Sequence, residues 1–254
     1  MRQKCPDLLT AHMMVKNEDI FVKTAITNIL PFVSEIIVFD TGSTDRTIDE
    51  IKSIKSKKIK LFVKRDHNPE RLTEYRNEMI RMTKTPWFII VDGDEVYSKR
   101  TLEKIVKKLK EIRGAVFRVK LWRIDFADIG LIAGKAYVGR IFRTEKIRFE
   151  GAYPFEKPSI IEADSKGIEK FSVEFPKELY LFHFRDLKRS SNQDKMIRYW
   201  RNPAFPIYFY FGDYPEGIKF SKNFLLIFIK WLWLNAFGFC FFFYRIYKKL
   251  GSKI

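Results

Sequence analysis

Cysteine and histidine are scarce in this chain, and acid runs out before its end. Among 254 residues there are two Cys, while His occurs only as His12, His67 and His183. Cys5 and Cys240 lie far apart, which argues against a disulfide framework or a structural zinc site and fits a reducing compartment. The opening "MRQKCPDLLTAHMM" lacks the long apolar run of a secretory signal, so no leader is expected. No repeat or low-complexity segment occurs. The last acidic residue is Glu216, and over the whole chain 48 Lys+Arg outnumber 31 Asp+Glu, a net charge of +17. That excess favours a polyanionic partner: nucleic acid, an anionic membrane surface or phosphates. Apolar residues are plentiful, at 46% hydrophobic and 16% aromatic, enough for one sizeable core.

The first 120 residues alternate between apolar runs and helix-like stretches. "LLTAHMMV" (Leu8 to Val15), "EIIVFD" (Glu35 to Asp40), "IKLFV" (Ile59 to Val63), "WFIIV" from Trp87 and "AVFRVKLW" predict strands. Between them, "NEDIFVKTAITNIL", "STDRTIDEIKSI" and "LTEYRNEMIRM" predict helices, with Ile20, Ala25, Ile29 and Leu30 as the apolar face of the first and Ser43 or Thr44 capping the second. In "KRTLEKIVKKLKEI" one stripe holds Leu102, Ile105, Val106, Leu109 and Ile112, and its lysines read as a solvated face. The alternation implies an α/β fold with a mainly parallel sheet, whose ligands bind beyond the carboxyl ends of the strands. Asp40 and Asp92 stand at two such ends. From Arg123 to Pro206 the pattern is irregular, with a further helix expected near Asn192 to Arg201.

The segment "WFIIVDGDEV" ends an apolar strand on Asp92, Asp94 and Glu95 around Gly93. Gly93 is expected to permit a sharp turn that lets Asp92 and Asp94 approach one point. Two unpaired carboxylates repel, and a divalent cation such as Mg²⁺ or Mn²⁺ removes the repulsion and can bridge to phosphate oxygens. An acidic turn bonded to nearby backbone or lysines is the plainer alternative.

The cluster belongs to an ordered series: "VKNED" (Val15 to Asp19), "VFDTGSTDRT" (Val38 to Thr47), "EYRNEM" (Glu74 to Met79), then "DGDE". The series resembles the family 2 glycosyltransferases, inverting enzymes of the GT-A fold, over roughly residues 8 to 160. The resemblance implies a nucleotide-diphospho-sugar donor. It implies that Asp40 bonds the nucleotide base, Arg76 lies near base or diphosphate, and Glu18 lines the pocket. Asp92 would sit near ribose and metal, Gly93 between the two acids, and Asp94 would be the main ligand of Mn²⁺ or Mg²⁺. Carboxylates can accept from ribose hydroxyls and imide N–H groups, and an Arg forks onto phosphate. Otherwise Asp40 and Ser43 form only a turn, and Arg76 is a surface helix charge.

An inverting transfer needs a base for the acceptor hydroxyl. "GRIFRTEKIRFEGAYPFEKP" (Gly139 to Pro158) resembles a stretch of one family branch that ends in His-Glu, which places Glu156 as base although Phe155 stands where His is common. Asp125 and Asp128 in "RIDFADIG" are the alternatives. His183, after the apolar run in "LYLFHFRD", matches the late histidine that many GT-A enzymes use as a metal ligand; a hydrogen-bonded core histidine is the other reading.

Phe224 to Tyr244, "FLLIFIKWLWLNAFGFCFFFY", carries one charge, Lys230. Its length suffices to span a bilayer. At about 100° per residue, Lys219, Lys230 and Lys248 share one sector with Arg245 beside it, which suits a helix lying in the membrane interface. A spanning helix with Lys230 snorkelling and a helix packed on the sheet are the rivals.

These readings give a nucleotide-sugar-binding half over 1–120, an acceptor-side half over 121–214, and a membrane-associating helical segment over 215–254. The expected function is metal-dependent inverting transfer of a sugar to a glycan, lipid-linked or protein acceptor. The expected location is the cytoplasmic face of a membrane, peripheral or C-terminally anchored. Nucleic acid is not expected, because acidic strand ends repel phosphates and no RRM-like or zinc-finger signature appears. A sugar-phosphate nucleotidyltransferase is the other enzyme reading, but the loop after the first strand, "VKNEDI", has no glycine.

Overall fold

A computed structural model describes residues 7–64, 66, 68–152, 155–161, 165–192, 205–218 and 223–251. His67 and nearly all of the helix expected near Asn192 to Arg201 lie outside the described residues.

The first half alternates as expected: β1 (Leu9–Val15), α1 (Val22–Ile29), β2 (Glu35–Asp40), α2 (Thr47–Ser53), β3 (Ile59–Val63), α3 (Pro69–Met82), β4 (Trp87–Ile90). Strands β3, β2, β1 and β4 are neighbours in that order and all parallel. β1, β2 and β4 are buried nearly end to end, as parallel strands covered on both faces must be. Helices begin where the chemistry directs them. Asn68 caps α3, its side chain accepting from Glu70 N, with Pro69 in the first turn. Ser98 caps α4 (Lys99–Glu111) by accepting from Thr101 N. Leu102, Ile105, Val106 and Leu109 of α4 are buried, each contributing roughly 1.5–3 kcal/mol.

Two local expectations change. Ile20 precedes α1 and is 44% exposed; the buried face of the helix is Val22, Ala25, Ile26 and Ile29. Neither Ser43 nor Thr44 caps α2, because their polar groups are bonded to Asn17 instead. Asp45 Oδ1 accepts from Thr47 N at the start of that helix.

The second half mixes strand directions. After Gly93 the chain forms a short β5 (Glu95–Tyr97), which the sequence did not suggest. β6 (Arg118–Asp128) and β7 (Leu131–Arg143) make an antiparallel hairpin turned at Gly130, whose φ of 87° favours glycine. β7 pairs with β4, and β6 with β11 (Tyr180–His183), so one sheet runs β3-β2-β1-β4-β7-β6-β11-β5. β10 (Ser172–Glu174) adds to β6 and β12 (Tyr208–Phe209) to β7, while β8 (Ile147–Glu150) and β9 (Lys157–Ile160) pair separately. A 28-residue helix, α5 (Phe224–Gly251), follows.

Candidate active site

The carboxyl ends of β1, β2 and β4, the start of α3 and the end of β11 enclose a cavity of about 530 Å³. Six of the residues singled out in the sequence line it: Glu18, Arg76, Asp92, Gly93, Asp94 and His183. Asp40 lies at the end of β2, next to Thr41 on the cavity wall. Its Oδ1 accepts from Gly42 N and Ser43 N, while Oδ2 is buried without a hydrogen-bond partner. Glu156 stands behind Arg76, which donates to its Oε1 at 3.1 Å; Glu156 Oε2 is buried and unpartnered.

The acidic turn is held differently from the simple picture of two carboxylates meeting. Asp92 Oδ2 accepts from Arg140 at 2.9 Å, and Arg140 also grips Glu95. Burial raises the Asp92 carboxyl, but Arg140 first, then Arg76 and His183, outweigh it and hold the group below its usual range. Glu95 goes the other way: burial dominates and lifts it despite Arg140. Asp94 Oδ2 accepts from Arg189 at 3.2 Å, and Arg189 also holds Glu18 Oε1 at 2.5 Å. Glu18 itself is fixed from below, since its N–H donates to Thr47 Oγ1 at 2.7 Å. Gly93 shows no left-handed φ; it is there for space, because a Cβ would lie 2.6 Å from Glu18 Cγ. The chain does turn here, Glu95 N donating to Asp92 O at 3.0 Å, but at no φ that requires glycine, so close approach is what the residue serves.

His183 Nδ1 lies 2.6 Å from Asp125 Oδ1, which orients the ring and leaves Nε2 facing Asp94 Oδ1 at 3.6 Å, too far for a hydrogen bond. Burial lowers the imidazole's proton affinity, yet Asp94 and the bond to Asp125 together raise it above the usual value. Among the described residues no three His, Cys, Asp or Glu side chains converge as a ready metal nest. The donor set still suits an ion that arrives with its phosphates. Mg²⁺-like ions take one or two protein carboxylates plus substrate oxygens, and a ligating His commonly gives its other nitrogen to a carboxylate, as His183 does to Asp125.

Three participants escaped the sequence reading: Arg140, Arg189 and the orienting role of Asp125. The segment after β11 that carries Arg189 is strapped to the loops beside it. Ser190 Oγ donates to Asp45 Oδ2, Ser191 N and Oγ donate to Asp19, and Asn192 Nδ2 donates to Thr44 O. Burial opposes ionisation of Asp45, but the hydrogen bonds from Ser190 and Thr47 prevail and lower it.

An α/β sheet with acidic turns gathered over the carboxyl ends of its strands places a ligand site where this class of fold puts one. The chain belongs to glycosyl transferase family 2, whose sequence profile matches residues 10–150, more than half of it. Its fold is accordingly GT-A. It is 31% identical over 105 residues to the SPbeta prophage-derived glycosyltransferase SunS of Bacillus subtilis, 39% of this chain but 23% of that relative. The chain thus spans about a quarter of the length of the curated relatives it matches. Among solved structures, S. aureus TarS with UDP is similar at 18% identity and TM-score 0.39, over 46% of this chain and 36% of that one. The mannosyltransferase PcManGT from Pyrobaculum calidifontis with GDP-Man and Mn²⁺ is similar at 16% identity and TM-score 0.42, over 56% and 46%.

Proposed function

We propose that the protein transfers a sugar, with inversion, from a nucleotide-diphospho-sugar to a glycan, lipid-linked or protein acceptor at the cytoplasmic face of a membrane. One observation carries this reading: Glu18, Arg76, Asp92, Asp94 and His183 share the wall of a single cavity at the strand ends. In this reading Asp40 uses its unpartnered Oδ2 to accept from the nucleotide base. Asp92 binds the ribose, and Arg76 with Arg189 receives the diphosphate, guanidinium being suited to fork onto phosphate. Asp94 and His183, with Asp92 beside them, would hold Mn²⁺ or Mg²⁺. When bound, the ion would neutralise charge on the departing diphosphate.

Glu156 is the base we assign to the acceptor hydroxyl. Its Oε2 has no partner, whereas Asp125 is tied to His183 and Asp128 to Lys230. As the hydroxyl oxygen attacks the anomeric carbon, its proton passes to Glu156 and the bond to the diphosphate breaks on the opposite face. Arg76, in contact with the other oxygen, keeps the carboxylate in place.

Purified protein, Mn²⁺ and a panel of nucleotide-sugars, with released nucleoside diphosphate as the readout, test the assignment. Asp94→Asn is expected to lose about 10²–10³-fold in rate at an unchanged melting temperature. Wild-type turnover in that variant would remove the central assumption.

A further inference from the structure

Helix α5 meets the rest of the molecule along one stripe. Ile227 and Leu234 are buried, Trp231 Nε1 donates to Ile207 O at 2.8 Å, and Asn235 Oδ1 accepts from Ile207 N at 2.9 Å. Phe205 packs near Phe239 and Phe242, and Phe209 stacks against Phe224 and Trp231. These contacts follow the helix from Phe224 to Phe242, about 27 Å of its length. The opposite side is bare: Leu225, Ile229, Leu232, Trp233 and Phe243 are exposed, and only 17% of the apolar window in Phe224–Arg245 is buried. Phe211, at 84%, and Tyr208 are exposed in the segment whose Phe209 packs on the helix. A soluble monomer rarely leaves so much contiguous apolar area uncovered.

Two observations say what covers it. First, no acid follows Glu216 in the sequence, while Lys219, Lys222, Arg245, Lys248, Lys249 and Lys253 flank the apolar run with positive charge, which favours anionic headgroups. Second, Lys230 does not join them: its Nζ lies 3.0 Å from Asp128 Oδ2, so the one charge inside the apolar run is turned into the protein. The basic sector drawn from the sequence is therefore broken at Lys230, and the outer face is purely apolar where it is longest. The inner contacts also set the orientation. A helix crossing the bilayer would drag the β6–β7 tip, with Asp128 and the β12 edge, into hydrocarbon, where neither charge nor open strand edge is tolerated.

We infer that α5, together with Tyr208–Phe211, lies in the plane of an anionic bilayer and seats the full chain on it, a reading that rests on the membrane-surface function proposed above. The seat adjoins the chemistry. A recess of about 250 Å³ between Gly130, Tyr214 and Ile227 lies at the root of the helix. Another, of about 360 Å³, runs from Asp128 and Ile129 to Ile20 and Lys188, the last of these next to Arg189 of the donor cavity.

The test is flotation of the full chain with phosphatidylcholine vesicles, with or without phosphatidylglycerol, and spin-label depth at Leu225→Cys, Leu232→Cys and Phe243→Cys in a Cys5→Ser/Cys240→Ser background. Expected are at least about tenfold stronger partitioning onto the anionic vesicles and one shared shallow depth, within roughly 5–10 Å of the headgroup boundary. Depths spread by about 27 Å would mean a spanning helix and overturn the inference. So would failure to float accompanied by a stable dimer, which would make a second copy the cover. The variant Leu232→Glu/Phe243→Glu is expected to lose about tenfold or more in partitioning, and unchanged flotation would equally overturn the docking face. The donor-induced melting shift, measured on the same variant without vesicles, reports folding and the transferase reading separately from membrane seating.

Discussion

A Cβ on Gly93 would stand 2.6 Å from Glu18 Cγ and 2.8 Å from its Cβ, so this position is set by the neighbour it must admit. Gly93→Ala is expected to cost about 1–3 kcal/mol in urea unfolding, the usual range for overpacking a tight site. In a Glu18→Gly background the same substitution should cost well under that, and equal costs in both backgrounds would disprove the steric account. His12 offers a second residue-scale consequence. Its ring is buried, stacks on Phe88 at 4.4 Å, and lies 2.6 Å from Thr83 Oγ1 through Nε2. Burial first, and Arg76 second, push its pKa down from 6.5 to about 3. Between those values the unfolded chain binds a proton that the folded chain refuses. Stability therefore rises with pH across that window and is fully present above about 6.5, with a slope of up to about 1.4 kcal/mol per unit. His12→Leu should flatten this part of the pH–stability curve; an unaltered slope would show that other groups govern acid unfolding.

At the scale of elements, the strap after β11 is the part that joins distant sequence to the donor cavity. Asp19, fully buried at its side chain, accepts from both N and Oγ of Ser191, and Ile20 N donates to Arg189 O at 3.1 Å. Asp19→Ala removes two hydrogen bonds to a buried charge, each of a kind contributing about 1.5–3 kcal/mol. The expected result is faster proteolysis around residues 188–192 and weaker donor binding, with the sheet intact by far-UV dichroism. Unchanged proteolysis would mean that the strap is held elsewhere. This element also marks the limit of what the sequence could disclose. β1, β2 and β4 were legible because buried parallel strands are continuous apolar runs, and Asp40 and Asp92 were legible because they follow two of them. Arg140 and Arg189 were not: they meet Asp92 and Asp94 across 48 and 95 residues, and no local period encodes such a pairing. Asp125 could have been found by asking which acid a late histidine would need behind it, since its partner His183 lies 58 residues on. β5 escaped notice because three residues pairing antiparallel with β11 leave no periodic trace.

For the whole molecule, in the transfer proposed above, the arginines at the acidic turn would set how metal and donor act together. Asp92 is engaged by Arg140, and Asp94 and Glu18 by Arg189, so the carboxylates are already charge-compensated before any ion arrives. An ion entering alone would find Asp94 and His183 but must draw Asp94 away from Arg189. An ion entering with a nucleotide diphosphate brings its own oxygen ligands and gives Arg189 a phosphate to move to. The two ligands should consequently stabilise the fold more together than the sum of their separate effects, a positive coupling between linked equilibria. A donor held at a hundred times its dissociation constant stabilises by about 2.7 kcal/mol. For a chain of this size that corresponds to a melting shift of roughly 5–10 °C. Mn²⁺ alone should give a small fraction of that shift, and EDTA should remove most of the donor's effect. If EDTA leaves the donor shift intact, the arginines and not a metal stabilise the diphosphate. Asp94→Asn then separates the cases: with a metal the coupling vanishes, whereas with arginine alone the donor shift persists, because Arg189 loses a competitor for the phosphates.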